Sequence, residues 1–287
     1  SLNMATIYEV SELAGVSLAT VSRVMNKNAR VSEKTEKKVK DAMEALGYRP
    51  NSMARSLASN RSNSVGVLVS EVYGPFYGDM MSGIEAELRA SGMHVIIAAG
   101  HSDEKTEKDG IEFLIDRSCD ALILHVDAVS DEYLLELNKG PVPFVVINRD
   151  IPSMKDNCIC LDNELGGYLA TRAVLDLGHT EVAYISGPLW KKDAQERFDG
   201  HQRALAESGL SLNAELGFEG DFEVGGGVSG MRHLLAQKVP FSAVVCANDE
   251  MAAGAMEESR DQNLNIPDDV SVQGFDNVDF SEYMFPK

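Results

Sequence analysis

The sequence predicts a small all-α domain at the N-terminus, followed by an α/β body of two lobes built on parallel sheets. Helix-capping patterns recur within the first fifty residues, which predicts several short helices. From Val65 onward, short apolar runs alternate with longer amphipathic stretches, which is the pattern of strand-helix-strand units. The length of 287 residues is sufficient for about two domains.

The first predicted helix begins near Ile7. Thr6 followed by Glu9 matches a capping box, in which each side chain accepts a hydrogen bond from the backbone N–H of the other residue. Gly15 can end this helix, because glycine adopts the left-handed conformation without strain.

Two more helices are predicted in the same domain. Ser17 can cap a helix over residues 18–25, and Ser32 can cap a third helix over residues 33–46. The spacing of the first two helices predicts a helix-turn-helix, and apolar residues at the helical period predict a small shared core.

The second helix has the surface that reading of the DNA major groove requires. Leu18, Ala19, Ser22 and Arg23 are expected to point away from the core. A bidentate contact from Arg23 to a guanine would contribute about 1–3 kcal/mol of base discrimination. The alternative is a three-helix structural cap with a surface arginine.

A short segment separates the helical domain from the body. Pro50 disfavours helix at Arg49, so the third helix stops there. Residues 52–58 have room for only about two helical turns, which are marginally stable alone in water. Residues 59–64 are polar and predict a flexible linker.

The body contains enough apolar runs for more than one sheet. Because these runs are nearly continuous and rich in β-branched residues, we expect strands buried on both faces. Asp162-Asn163 is the predicted crossing between the lobes. The predicted strands are 65–69, 94–98, 121–126, 144–147, 158–161, 182–185, 243–246 and 270–272, and the predicted helices between them include 77–90, 105–117, 164–177, 194–207 and 250–261.

Polar residues that follow strands are the candidate ligand-binding residues of the body, because ligands of open parallel sheets bind at the carboxyl ends of the strands. Ser70, Asn148, Asn248, Asp249 and Asp276 have this placement. Amides and carboxylates suit the hydroxyls of a sugar-like ligand.

Arg197 adds hydrogen-bond donors to this set, and Phe76, Tyr77 and Trp190 can stack on a pyranose ring. The alternative roles are helix or turn caps for the aspartates, a lid on the core for Trp190, and a hydrophobic staple for Phe76 and Tyr77.

The charge is distributed unevenly. The formal net charge of −19 alone argues against a nucleic-acid partner. Residues 1–61 carry ten basic and six acidic side chains, whereas residues 62–287 carry sixteen basic and thirty-nine acidic ones, so the two parts have charges of +4 and −23. A basic head on an acidic body indicates a nucleic-acid-binding module, with a solvated basic face as the alternative.

Several classes of protein are excluded by missing motifs. The four cysteines include no Cys-x-x-Cys pair and the six histidines are scattered, so we expect neither disulfides nor a metal, and a reducing cytoplasm fits best. There is no signal peptide and no run of about 18 apolar residues. Gly225-Gly226-Gly227-Val228-Ser229-Gly230 fits a dinucleotide-binding pattern, but a poor strand precedes it, so we expect no cofactor and no catalysis.

The N-terminal motifs resemble the LacI/GalR family of bacterial regulators. The resemblance is carried by Ala14-Gly15-Val16-Ser17-Leu18-Ala19-Thr20-Val21-Ser22-Arg23-Val24-Met25-Asn26, Tyr48-Arg49-Pro50-Asn51 and Ala54-Arg55-Ser56-Leu57. It implies a hinge helix over 51–58 that is ordered on operator DNA, with Leu57 wedged into the minor groove. The implied DNA-binding residues are Thr6, Ser17, Leu18, Ala19, Thr20, Ser22, Arg23, Asn26, Tyr48, Asn51, Ala54, Arg55 and Leu57.

The body resembles the same family through Ala247-Asn248-Asp249, Gly274-Phe275-Asp276 and Arg197-x-x-Gly200, and is most similar to its galactose-repressor branch. Glu71-Val72-Tyr73-Gly74 and Leu18 depart from that branch. The resemblance implies a periplasmic-binding-protein-like body with Rossmann-like lobes and an effector between them. The residues assigned to the effector, from the resemblance or from strand ends and ring stacking, are Ser70, Phe76, Tyr77, Asn148, Trp190, Asp193, Arg197, Asn248 and Asp276.

The resemblance also implies the domain organisation. We expect a DNA-binding domain over 4–49, a hinge and linker over 50–63, an N-lobe over 64–162 and a C-lobe over 163–287, with the family fold continuing past Lys287.

The predicted function is a cytoplasmic, nucleoid-associated, homodimeric repressor of a sugar-utilisation operon. It would bind a palindromic operator and be released by a small sugar, with D-galactose or a related sugar the first choice. The alternatives are a different sugar, a nucleobase-like corepressor, an exported sugar-binding protein, and an enzyme built on paired Rossmann-like lobes.

Overall fold

The chain divides into two compact units. The computed structural model describes residues 5–26, 30–50 and 61–287. One unit comprises residues 1–64 and 118–120, and the other comprises residues 65–117 and 121–287. Residues 51–60, and with them the predicted hinge helix, Asn51, Ala54, Arg55 and Leu57, lie outside the described residues.

The first unit contains the three predicted helices. Thr6 and Glu9 form the capping box, with the Thr6 N–H donating to Glu9 Oε2 at 2.6 Å and the Glu9 N–H donating to Thr6 Oγ1 at 3.3 Å. Gly15 ends the first helix with a φ of 63°. The predicted core is confirmed, since Val21 and Val39 are completely buried in it. The helices are α1 (Ile7–Ala14), α2 (Leu18–Asn26) and α3 (Glu33–Ala45).

The second unit contains two sheets, each the centre of a lobe. The N-lobe sheet has the strand order β2-β1-β3-β4-β5, and the C-lobe sheet has the order β7-β6-β8-β9. The pairs β1–β3, β3–β4, β4–β5, β6–β7, β6–β8 and β8–β9 are parallel, as predicted. The strands are β1 (Ser64–Val69), β2 (His94–Ala99), β3 (Ala121–Leu124), β4 (Phe144–Ile147), β5 (Cys158–Ile159), β6 (Val182–Ser186), β7 (Gly217–Glu219), β8 (Ala243–Cys246) and β9 (Ser271–Gln273).

Seven α-helices of the described residues connect these strands. They are α4 (Pro75–Ala90), α5 (Glu104–Asp116), α6 (Asp131–Leu137), α7 (Asn163–Leu175), α8 (Lys192–Glu207), α9 (Val224–Ala236) and α10 (Asp249–Asp261). Short 3₁₀ helices cover Pro152–Asn157, Ala214–Leu216 and Asp279–Tyr283. The predicted crossing at Asp162-Asn163 is at the start of α7, after β5, an edge strand of the N-lobe sheet. No helix within the described ranges is long and apolar enough to span a membrane.

The expectation that every strand is buried on both faces is wrong for β9, an edge strand of the C-lobe sheet with no buried residue, and for β2 and β5. None of the residues of β2 is buried, and Ile97 is 48% exposed. The strands β2 and β5 are at the edges of the N-lobe sheet, where neighbours cover one side only. The central strands β6 and β8 are buried along their whole length.

Glycines allow two pairs of C-lobe helices to pack backbone against backbone. A Cβ added at Gly167 in α7 would lie 2.0 Å from the Arg197 carbonyl oxygen in α8, and one at Gly200 would lie 2.0 Å from the Glu164 oxygen. Gly227 in α9 and Gly254 in α10 make the equivalent contacts. Within the glycine-rich run 225–230, Gly227 therefore serves helix packing.

Candidate functional site

A cleft with a volume of about 240 Å³ lies between the two lobes. Its lining comes from the segments that follow β1, β2, β3 and β4 in the N-lobe and β6, β7, β8 and β9 in the C-lobe. This is the placement expected for a ligand site in open parallel sheets.

Seven of the nine predicted effector residues line this cleft. They are Phe76, Tyr77, Asn148, Asp193, Arg197, Asn248 and Asp276. Two others lie elsewhere. Ser70 is 1% exposed and lies outside the lining, where its hydroxyl donates to Asp127 Oδ2 at 2.9 Å. Trp190 is 59% exposed and is not part of the lining, and its ring lies 5.6 Å from Lys191 Nζ.

A relay of amide groups connects the lobes. Arg197 Nε donates to Asn163 Oδ1 at 3.0 Å, and Asn163 Nδ2 donates to Asn148 Oδ1 at 3.0 Å. Asn148 Nδ2 then donates to Asp193 Oδ2 at 3.1 Å. Arg197 Nη1 donates to the carbonyl of Ala247 at 2.7 Å. The arginine is therefore held rigidly, and Nη2 makes none of these bonds.

The polar residues after β8 have structural roles as well. Asn248 caps α10 by accepting from the Met251 N–H at 2.9 Å, and its Nδ2 donates to the Phe222 carbonyl at 2.8 Å. Asp249 does not line the cleft, because its Oδ2 accepts from the Val278 N–H at 2.9 Å. The alternative role as a cap thus applies to Asp249, whereas Asn248, whose capping role was not predicted, combines a cap with a place in the cleft.

An ion pair that sequence reasoning missed also joins the lobes. Lys191 Nζ lies 3.2 Å from Asp127 Oδ2 and donates to Ser102 Oγ at 2.9 Å. Asp127 was detectable, because it directly follows the apolar run that ends at Val126. Nothing in the sequence distinguishes Lys191, which is largely shielded, from the lysines that are exposed.

The carboxyl groups of the cleft differ in their protonation. Burial raises the pKa of Asp127, but Lys191, His125 and two serine hydroxyls outweigh burial, so the net pKa is lowered. Desolvation, partly offset by Arg197 and reinforced by neighbouring carboxylates, raises the pKa of Asp276 to about 7. Desolvation also raises the pKa of Glu250.

Aromatic rings form one wall of the cleft. The ring centroid of Tyr77 lies 5.2 Å from that of Phe76 and 5.6 Å from that of His125, with edge-to-face geometry in both pairs. Burial lowers the pKa of His125, so this ring is neutral near pH 7. In the C-lobe, Phe222 also lines the cleft. A sugar ring has apolar C–H faces and polar hydroxyls. The aromatic faces suit the former and the polar relay suits the latter.

In the first unit, the α2 surface is only partly free to contact DNA. Ala19 and Arg23 are exposed, and Leu18 is 37% exposed. The other predicted DNA-binding residues within the described part of this unit already have partners in the fold. The hydroxyls of Ser17 and Thr20 hydrogen-bond to each other, Asn26 donates to Ser22, Tyr48 packs on the core, and Thr6 caps α1.

Comparison with known proteins assigns the chain to a family. Residues 62–285 match the model described as periplasmic binding proteins and sugar binding domain of LacI family. Residues 6–51 match the model of bacterial regulatory proteins of the lacI family. The chain belongs to the LacI family. It is a DNA-binding transcriptional regulator with a helix-turn-helix unit and a two-lobed α/β body.

Individual relatives agree with this assignment. The regulator GalR of Escherichia coli is 40% identical over 284 residues, which cover 99% of this chain and 83% of GalR. The repressor PurR of Aliivibrio salmonicida is 34% identical, with 99% and 85% covered. The lac repressor dimer bound to operator and the anti-inducer ONPF has a TM-score of 0.86 and 29% identity, with 98% and 85% covered.

Proposed function

We propose that this regulator represses a sugar-utilisation operon and that a small sugar, D-galactose or a related one, releases it from operator DNA. The interlobe cleft carries this proposal, because polar groups from both lobes face aromatic rings across it. The 40% identity to GalR supports a sugar of the galactose type.

The chemistry of the cleft fits a ligand with several hydroxyls. Asp193 and Asp276 can accept from hydroxyls, and Arg197 Nη2 can donate to them. The Tyr77 and Phe76 rings offer an apolar surface to the carbon face of a pyranose.

The proposed mechanism is a population shift. A ligand that contacts both lobes stabilises one relative orientation of the lobes over others. In a homodimer on a palindromic operator, that orientation would misalign the paired hinge segments over 51–58, and operator affinity would fall. By linkage, operator DNA would weaken sugar binding by the same factor.

An operator titration tests the proposal. In a mobility-shift assay with the full chain, D-galactose should weaken operator binding at least about tenfold. Arg197→Met should remove the response to sugar and keep operator binding, whereas Arg203→Met on the exposed side of α8 should respond like the wild type. If operator affinity is unchanged by D-galactose and by related sugars, the proposal is wrong.

A nucleobase-like corepressor is the second candidate, because PurR relatives match 99% of the chain at 34% identity. A purine base would then strengthen operator binding in the same titration, which is the opposite sign to release by a sugar.

Arg23 is the proposed base-reading residue of α2. Because Arg23 is exposed on that helix, Arg23→Ala should relax discrimination at one operator position by about 1–3 kcal/mol. Arg55→Ala, which we expect to remove a phosphate contact, should weaken all sequences alike. Binding to a panel of single-base operator variants measures both effects, and equal loss of preference in the two variants would contradict the assignment.

A further inference from the structure

The cleft contains far more acidic than basic side chains. Its basic side chains are Lys191 and Arg197 alone among the lining residues, and its histidines are His101 and His125. The lining carboxylates are seven in number: Glu71, Asp127, Asp193, Asp221, Glu223, Glu250 and Asp276.

One of the two basic groups is paired with a carboxylate, and the other donates to neutral groups of the protein. Lys191 pairs with Asp127 and donates to Ser102, and its side chain is only 16% exposed. Two of the three guanidinium nitrogens of Arg197 donate to Asn163 and Ala247. The Arg197 guanidinium also lies 3.8 Å from the centroid of the Phe275 ring. The charge of Lys191 is therefore paired with a carboxylate, whereas Arg197 keeps its charge and a free Nη2, so an anionic ligand would meet this one unpaired cation among seven lining carboxyl groups of the described residues.

Two of the carboxyl groups, Glu250 and Asp276, form no ion pair within the described residues, although the Arg197 guanidinium partly offsets the raised pKa of Asp276. Glu223 accepts from the Tyr73 hydroxyl at 2.7 Å, and Asp221 accepts from a backbone N–H at 2.8 Å. Glu250 and Asp276 accept no hydrogen bond from the described residues. The raised pKa of Glu250, caused by desolvation and then by Glu223 and Asp221, agrees with a site that lacks positive charge.

We propose that the effector carries a basic nitrogen, so that the cleft selects an amino sugar over the uncharged parent sugar and over the sugar phosphate. This inference rests on the proposed function, and it specifies the charge of the sugar. An ammonium group beside Glu250 and Asp276 is attracted by carboxyl groups that form no ion pair, whereas a phosphate is repelled by a lining that holds seven carboxyl groups and two basic side chains.

Calorimetry on the full chain at pH 7 tests this selection. The probes are D-galactosamine, D-galactose, N-acetyl-D-galactosamine and D-galactose 6-phosphate, with the corresponding sugars of the gluco series. The amine should bind at least about tenfold more tightly than the parent sugar, and the phosphate more weakly than the parent. The N-acetyl sugar keeps the nitrogen but not the charge, so it should lose the advantage.

Charge-removing variants and added salt show whether the preference for the amine comes from its charge or from its shape. Glu250→Gln and, independently, Asp276→Asn should each reduce the ratio of amine to parent affinity at least about threefold. Glu257→Gln, an exposed position on the same helix α10, should leave the ratio unchanged. Raising the salt from about 0.05 to 0.5 M should shrink the ratio through screening.

Two results would overturn the inference while the proposed function stands. One is a parent sugar or phosphate that binds at least as tightly as the amine. The other is an amine preference that survives both substitutions. If none of the sugars binds or changes operator affinity, the proposed function fails and the inference fails with it.

Discussion

At the scale of single residues, the Asp127–Lys191 pair is the most shielded ionic contact between the lobes. The two side chains are 12% and 16% exposed. A charge left without its partner in such a place costs more than an exposed charge, because water cannot replace the lost contact. The pair therefore matters for stability mainly because removal of either partner would leave a shielded charge unpaired.

Lys191→Met should lower the free energy of unfolding by about 1–3 kcal/mol, because it leaves Asp127 with hydroxyl partners only. Urea unfolding followed by circular dichroism measures this. Lys192→Met is the matched control, since its side chain is 49% exposed and a surface change should stay within about 0.5 kcal/mol. Equal losses in both variants would refute the role of the buried pair.

Asp276 predicts a pH dependence of stability. Its pKa is about 7 in the folded chain against 3.8 for the free group, so the folded state binds more protons between these values. The contribution of Asp276 to stability therefore falls as the pH rises from about 4 to 7. Asp276→Asn should raise the melting temperature relative to wild type more at pH 8 than at pH 5, and asparagine tolerates the local φ of 100°.

Differential scanning fluorimetry at the two pH values checks this expectation. Asp279→Asn, at an exposed carboxylate outside the cleft, is the control and should show no such change with pH. A difference between Asp276→Asn and wild type that is the same at both pH values would contradict the pKa assignment.

At the scale of elements, backbone contact between helices defines the C-lobe. Gly167 and Gly200 let α7 and α8 approach so closely that no Cβ fits, and α9 and α10 repeat the arrangement. Such contacts leave no side chain between the helices that could repack. The position of Arg197 on α8 is therefore fixed by the same contact that fixes the helix.

Gly200→Ala should lower the free energy of unfolding by about 1–3 kcal/mol, because the added methyl would lie 2.0 Å from the Glu164 oxygen. Chemical denaturation of the purified variant measures the loss. Gly225→Ala in α9 is the control, since nothing lies within 4 Å of its added Cβ, and it should be neutral or stabilising. A neutral Gly200→Ala would show that the helices separate without cost.

Local patterns predicted the elements that have clear caps or long apolar runs. Thr6, Gly15 and Ser32 define the helices of the first unit because their side chains or backbone satisfy the helix ends. The extent of helix α9 was not predicted, because glycine has low helix propensity. The contact that explains Gly227 is with α10, which is distant in sequence. The strand β7 was missed because three residues carry no detectable alternation.

At the scale of the whole molecule, a basic head and an acidic body give opposite electrostatic contributions near DNA. The charges of +4 and −23 belong to residues 1–61 and 62–287. The head is attracted to phosphates while the body is repelled, and salt screens both effects.

Operator affinity should therefore fall steeply with salt, with a slope of log K against log salt concentration of about −5 or steeper. Fluorescence anisotropy with a labelled operator at several salt concentrations measures the slope. Binding of uncharged D-galactose in the same buffers is the control and should change little. A slope near zero would contradict binding through phosphate contacts.

The position of the cleft was predictable from the sequence, whereas its internal contacts were not. Asn148, Asn248 and Asp276 follow strands, and parallel topology brings strand ends together. Ser70 also follows a strand, but its hydroxyl is used by Asp127, and that contact depends on the loop after a different strand. Pairings such as Lys191 with Asp127 depend on how the lobes meet, which no local pattern encodes.

The amide relay has a direction that constrains how the cleft can open. Every N–H in it points from the cation Arg197 towards the anion Asp193, and Asn148 is its one member from the N-lobe. Asn148 is held on one side by Asn163 and on the other by Asp193, so separating the lobes breaks both bonds in the same movement. Turning the side-chain amide of Asn148 or Asn163 by 180° would preserve neither of its bonds, because it would place N–H against N–H and oxygen against oxygen. Opening of the cleft therefore breaks these two hydrogen bonds together, and a partly opened cleft keeps neither of them.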